Sequence, residues 1–247
     1  MATIATLSND NINRKKENKI TINKLLISTD APMYEYYVVL DFEATCCDKN
    51  TIPKGSVEII EFPSVCIDAR DRLNPKVVSE IQLYVKPVLY PKLTKFCTEL
   101  TGINQETVDH ADNFPVVYKK YIDWLQNDCK FDVYSKTPNF SFVTCGDWDL
   151  KTALPQELSY PHHRHLTSIH CFRQFVNIKK IFTKFYQRKA RGMADMLNLI
   201  DMELIGKHHS GIDDCRNTAN ILIKMLKEGS MVKTTFNQNS AGGKNAV

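Results

Sequence analysis

The 247-residue sequence predicts an α/β fold: a mixed sheet of about five strands, the first three antiparallel, with helices on its faces. Three observations carry this expectation. β-branched and aromatic runs cluster in the first third of the chain, joined by turn-like segments. Helical and strand-like patterns then alternate, and the last long pattern is an amphipathic helix.

The first strand is expected at "YEYYVVLDFEAT", a run typical of a buried strand. "EIIEFPSVCIDA" and "VSEIQLYVKP", linked by the turn-like "RDRLNPK", read as two further strands of a meander. A helical region follows from "PKLTKFCTELTGI" through "FPVVYKKYIDWLQND", where Val117, Tyr121, Trp124 and Leu125 recur at helical spacing. "FSFVTC" is the fourth strand and "GDWDLKTAL" a helix start, while "QFVNIKKIF" is read as a fifth strand. "MADMLNLIDMEL" is helical, and "GIDDCRNTANILIKMLKEG" is an amphipathic helix with Gly229 suited to end it.

The chain has 43% hydrophobic residues, enough for one sizeable core. Residues 1–32 are polar and lack an apolar period, so they are expected to form a flexible arm. Residues 33–229 form one domain and 230–247 a flexible tail. No run of eighteen apolar residues occurs, and no apolar stretch follows the first residues, so neither a membrane span nor a secretory signal is expected. The eight cysteines show no C-x-x-C pair, which argues against a zinc finger and fits reduced thiols in the cytoplasm or nucleus. The net charge of +4 names no partner, but between Lys130 and Arg191 there are eleven Lys or Arg against four Asp or Glu. Phe140, Trp148, Tyr160, Phe172, Phe175, Phe182, Phe185 and Tyr186 are interleaved among them. Such a mix suits a polyanion with stackable bases, and equally suits an ordinary solvated surface over a core.

The chemistry-bearing residues are carboxylates. Asp41 and Glu43 stand two apart at the end of the first strand, so both point to one face. Held together they repel, unless a hard cation such as Mg²⁺ or Mn²⁺ lies between them. A lone D-x-E is more often simply solvated. Asp147 and Asp149 follow the fourth strand. Asp147 stands where a helix N-cap is expected, which leaves Asp149 free. In "HHSGIDDC", Ser210 and Asp213 have the spacing of a capping box, with Asp214 in the first turn of the helix. His209 precedes that helix on a loop from which an imidazole can reach a bound water, or it is an ordinary loop histidine. His208 has no comparable case. The cluster "HHRH" at 162–165 with His170 is an alternative metal module but lies in a Pro-flanked polar loop.

Taken together, "LDFEAT", "WDL" and "HSGIDD" resemble the three motifs of the DEDDh exonuclease superfamily. With "EIIEFPSV", "FCTELTGI" and "VNIKK", the resemblance extends to the histone-mRNA 3′ exonuclease and enhanced-RNAi nuclease branch, including short members such as Snipper, over residues 34 to 228. It implies a ribonuclease H-like sheet and metal ligands at Asp41, Glu43, Asp149 and Asp214, with His209 as general base and Glu43 also catalytic. It further implies terminal-nucleotide contacts from Glu43, Ala44 and His209, with Leu100 and Trp148 flanking the base. The reaction so implied is metal-dependent 3′-to-5′ hydrolysis of RNA, with DNA as a further candidate, releasing nucleoside 5′-monophosphates. The implied cofactor is a pair of Mg²⁺ ions, replaceable by Mn²⁺. The expected partners are RNA or DNA 3′ ends, and the expected state is a monomer. The competing reading is a nucleic-acid-binding or scaffold protein that keeps this fold without turnover.

Overall fold

The structure, a computed structural model, describes residues 34–238 except positions 50, 54, 164 and 167. The expected N-terminal arm, 1–32, and the last nine positions lie outside the described residues. Among the described residues no helix is long and apolar enough to cross a membrane.

Among the described residues, five longer strands form the sheet: β1 (Tyr36–Leu40), β3 (Ile59–Asp68), β4 (Lys76–Lys86), β6 (Phe140–Thr144) and β7 (Gln174–Asn177). Three two-residue strands extend it, β2 (Glu43–Ala44), β5 (Asp112–Asn113) and β8 (Phe236–Asn237). The order is β5-β4-β3-β1-β6-β7-β8, with β2 alongside β3. β1, β3 and β4 run antiparallel as a meander, whereas β6 and β7 lie parallel to β1. β3 is buried over nine of its ten residues because it is central and covered on both faces. β4 alternates between exposed and half-buried positions, as expected near an edge.

The ladder between β1 and β3 pairs Leu40 with Ser64, and the same register resumes at Glu43 opposite Glu61. Pro63, which has no N–H to donate, therefore faces the gap at Asp41. The chain leaves the sheet there, which frees the Asp41 side chain from the strand.

Among the described residues, seven α-helices cover the sheet. α1 (Lys95–Thr101) starts at Thr94, whose hydroxyl accepts from the Cys97 N–H, and stops at Gly102, whose φ of 80° suits glycine. α2 (Gln105–Asp109) and α3 (Phe114–Asn127) follow. α3 buries Val117, Tyr121, Trp124 and Leu125 against the face bearing Val38 and Leu40. A π-type turn, Asp149–Ala153, runs into α4 (Leu154–Ser159). α5 (Ile178–Tyr186), α6 (Met193–Leu199) and α7 (Gly211–Lys227) pack on the opposite face, against Tyr37 and Val39. α7 ends as its glycine requires: Gly229 has φ 90°, and the Ser230 N–H reaches back to the Met225 carbonyl at 2.9 Å.

Two expectations differ from the structure. "QFVNIKKIF" is a strand only to Asn177, whose side chain accepts from the Lys179 N–H and starts α5. An apolar run alone does not mark that switch. The tail expected from residue 230 also returns to the sheet. Phe236 pairs with Phe175 in β7, their rings 4.9 Å apart, and the Tyr37 hydroxyl donates to the Val232 carbonyl. A two-residue strand has no periodicity by which to recognise it.

Candidate active site

Three separated elements bring their carboxylates to one end of the sheet. Asp41 and Glu43 stand where β1 passes into β2. Asp149 opens the π-type turn after the parallel neighbour β6, and its Oδ1 accepts the Phe42 N–H at 2.9 Å, which fastens it to the β1 exit. Asp214 lies in the first turn of α7 and is 4% exposed. That turn abuts β1, since a Cβ added to Gly211 would meet the Asp41 carbonyl oxygen at 2.9 Å. Only glycine permits this approach.

Burial raises all four acids, and neighbouring carboxylates raise Asp41 and Glu43 further. Burial, and then the Asp149, Asp214, Glu43 and Glu61 carboxylates, hold Asp41 well above the usual carboxylate range. Burial followed by Glu61, Asp214 and Asp149 pushes Glu43 to about 9. Asp149 rises to about 6 through burial, opposed by the Phe42 N–H, and Asp214 also rises through burial. The Oδ1 of Asp214 is buried without a hydrogen-bond partner among the described residues. A set of hard oxygen donors with mutual repulsion and one unpaired buried oxygen fits a divalent cation.

His209 adopts φ 68°, a left-handed conformation in which its N–H donates to Asp214 Oδ2 at 3.0 Å. Burial, then His208 and Lys207, lower its pKa, so the imidazole is neutral at neutral pH. Ala44 is held beside α1, its carbonyl 3.6 Å from Cys97 Sγ. Leu100 is half-buried on the last turn of α1, and Trp148 is 41% exposed immediately before Asp149.

Several sequence assignments change. Asp147 does not cap a helix with its side chain. It accepts from Asn177 and Lys180 on the start of α5, and these bonds outweigh its burial and keep its pKa low. The capping box is not formed either: Ser210 makes no side-chain cap, and Asp213 accepts from the Lys207 N–H and Arg216. His208, given no role from the sequence, lies beside the cluster. Its ring stacks on His209 at 4.0 Å, and its Nε2 lies 3.9 Å from Asp214 Oδ2. In the "HHRH" stretch, His163 is a core residue, bonded to the Glu157 carbonyl and packed on Phe114. Of the interleaved aromatics, Phe140, Phe172, Phe175 and Phe182 are buried and unavailable for stacking. The largest omission is Glu61, a buried carboxylate in a strand that is otherwise almost entirely buried and apolar. Its signal was present in "EIIEFPSV", as a charge in an otherwise apolar run.

The exonuclease (RNase_T) family model matches residues 38–222. ERI1 exoribonuclease 3 of Homo sapiens is 38% identical over 211 residues, which span 85% of this chain and 59% of that protein. The 3′-5′ exonuclease Snipper of Drosophila melanogaster is 32% identical over 82% of this chain and 73% of its own. The crystallographic nuclease domain of 3′hExo, a DEDDh family member bound to rAMP, superposes with a TM-score of 0.73 at 32% identity, covering 83% of this chain and 98% of that domain. The chain thus spans less than two thirds of the length of ERI1 exoribonuclease 3.

Proposed function

Because the chain belongs to the exonuclease family, we propose that it is a metal-dependent 3′-to-5′ exonuclease acting on RNA, with DNA as a further substrate, and releasing nucleoside 5′-monophosphates. The observation that carries this reading is the convergence of Asp41, Glu43, Asp149 and Asp214 at one end of the sheet, with an unpartnered Asp214 oxygen among them. These four acids would hold two Mg²⁺ ions, or Mn²⁺ in their place, and the ions supply water activation and stabilisation of the leaving 3′ oxygen. The names of the relatives, exoribonucleases and a 3′-5′ exonuclease, support the direction and the preference for RNA.

The protein groups divide the remaining work. The neutral His209 imidazole accepts the proton of the attacking water. The Phe42 N–H holds Asp149 in place, and the left-handed turn at His209 ties the base to Asp214. Glu43 and Ala44 face the terminal nucleotide, and Leu100 and Trp148 flank its base.

The test uses 5′-labelled single-stranded RNA and DNA with Mg²⁺, Mn²⁺ or EDTA, alongside Asp41→Asn. A ladder shortened from the 3′ end, abolished by EDTA and by the substitution, is the expected result. Binding without cleavage under every condition would overturn it in favour of a nucleic-acid-binding protein with this fold.

A further inference from the structure

Glu61 lies near the start of β3 and is 1% exposed, yet it touches no cation among the described residues. All its hydrogen bonds are to neutral donors. Oε2 accepts the Gly211 N–H at 3.1 Å, and Oε1 accepts the Ile212 N–H at 3.3 Å and Gln82 Nε2 at 2.9 Å. The first N–H groups of a helix have no partner within it, and Ser210 supplies no side-chain bond to them. A residue 150 positions upstream therefore caps α7.

This cap joins the two halves of the site. On one side, Glu61 pairs across the ladder with Glu43. On the other, it grips the two residues that lie between His209–Ser210 and Asp213–Asp214. The Gly211 Cα sits in a wedge where an added Cβ would be 2.9 Å from the Asp41 carbonyl oxygen and 3.0 Å from Glu61 Oε2. Moving α7 along its axis would carry Asp214 away from Asp41 and drag the His209 loop with it through their 3.0 Å bond.

We infer that Glu61 is a positioning residue: from β3 it clamps the first turn of α7 and so sets His209 and Asp214 against Asp41 and Glu43. The kinetic part of this inference rests on the nuclease reading; the structural part does not. Glutamine at this position keeps the shape but has one acceptor oxygen, and its amide turns a donor towards a backbone donor.

The test is Glu61→Gln, read in two ways. Amide hydrogen exchange is expected to accelerate at Gly211 and Ile212 while β1 and β6 exchange as in the native protein. On RNA, kcat is expected to fall about 10–100-fold, the range for residues that orient a metal site, with KM within about twofold. If the protein cleaves no substrate, the exchange result alone still decides the clamp. Unchanged exchange at both amides overturns the inference. So does unchanged exchange with complete loss of Mn²⁺ binding, which would make Glu61 a metal ligand instead. Gln82→Ala, on the half-exposed neighbouring strand, removes one bond to Glu61 and is expected to shift both readouts in the same direction by a smaller factor. It carries the test if Glu61→Gln does not fold.

Discussion

Asp214 shows how one residue carries both the site's capacity and its cost. The residue is 4% exposed, one carboxylate oxygen is bonded to the His209 N–H and the other has no partner among the described residues. The Asp214 and Asp149 charges both raise the pKa of Asp41 and of Glu43. In the absence of a cation this is net repulsion, and repulsion in the native state subtracts from stability. Asp214→Asn keeps an oxygen for the His209 N–H and places an amide donor among carboxylates that accept. The metal-free variant should therefore melt higher than the parent, by about 2–4 °C for each ~1 kcal/mol relieved in a chain of this size. Added Mg²⁺ should stabilise it less, and cleavage should be lost. A lower melting temperature for the metal-free variant, measured by calorimetry, would refute the repulsion argument. The acids themselves were legible in the sequence because a D-x-E at a strand end and acids after a second strand are local patterns. His208 and Glu61 were not assigned, because their meaning depends on which element packs against them.

At the scale of elements, the sheet was legible where strands are long and apolar, and illegible where pairing is short. β1, β3 and β6 follow from buried runs, β4 from its β-branched composition, and α7 from its period and its terminal glycine. The chain leaves β1 at Asp41 opposite a proline on the neighbouring strand, an alignment that single-strand patterns do not contain. β8 is the same kind of case. Thr235 Oγ1 accepts the Asn177 N–H at 2.7 Å, the Thr235 N–H reaches the Phe175 carbonyl at 3.0 Å, and Phe236 stacks on Phe175. These contacts cover the outer edge of β7, which otherwise would present unpaired backbone groups. Phe236 is half-buried, so Phe236→Ala should cost about 1–2 kcal/mol, below the ~3–5 kcal/mol of a fully buried phenylalanine. Denaturant unfolding should show this loss with an unchanged slope. A midpoint equal to the parent's would mean that β8 contributes nothing to the fold.

For the whole molecule, the question is how a chain with an acidic site holds a polyanion. The formal charge of +4 is small, and the local excess of positive charge between Lys130 and Arg191 is partly committed internally: Lys180 is paired with Asp147, and Lys179 donates to the Arg191 carbonyl. The aromatic residues of that region are mostly interior. On the proposed reading, Trp148, 41% exposed beside Asp149, would stack on the terminal base, while the strand behind the 3′ end would be held through phosphate contacts. These two contributions respond to different variables. Phosphate contacts release counterions, so log affinity should fall linearly with log salt, by about 0.7 per contact on a single strand. Stacking on an indole is uncharged and worth ~1–3 kcal/mol per base, or about 5–150-fold in affinity. Trp148→Ala should therefore raise KM within that range, leave kcat within a few-fold, and leave the salt slope unaltered. Steady-state kinetics on one RNA at four or five salt concentrations separates the outcomes. A changed slope with unchanged KM would show that Trp148 orders the basic surface and does not hold the terminal base.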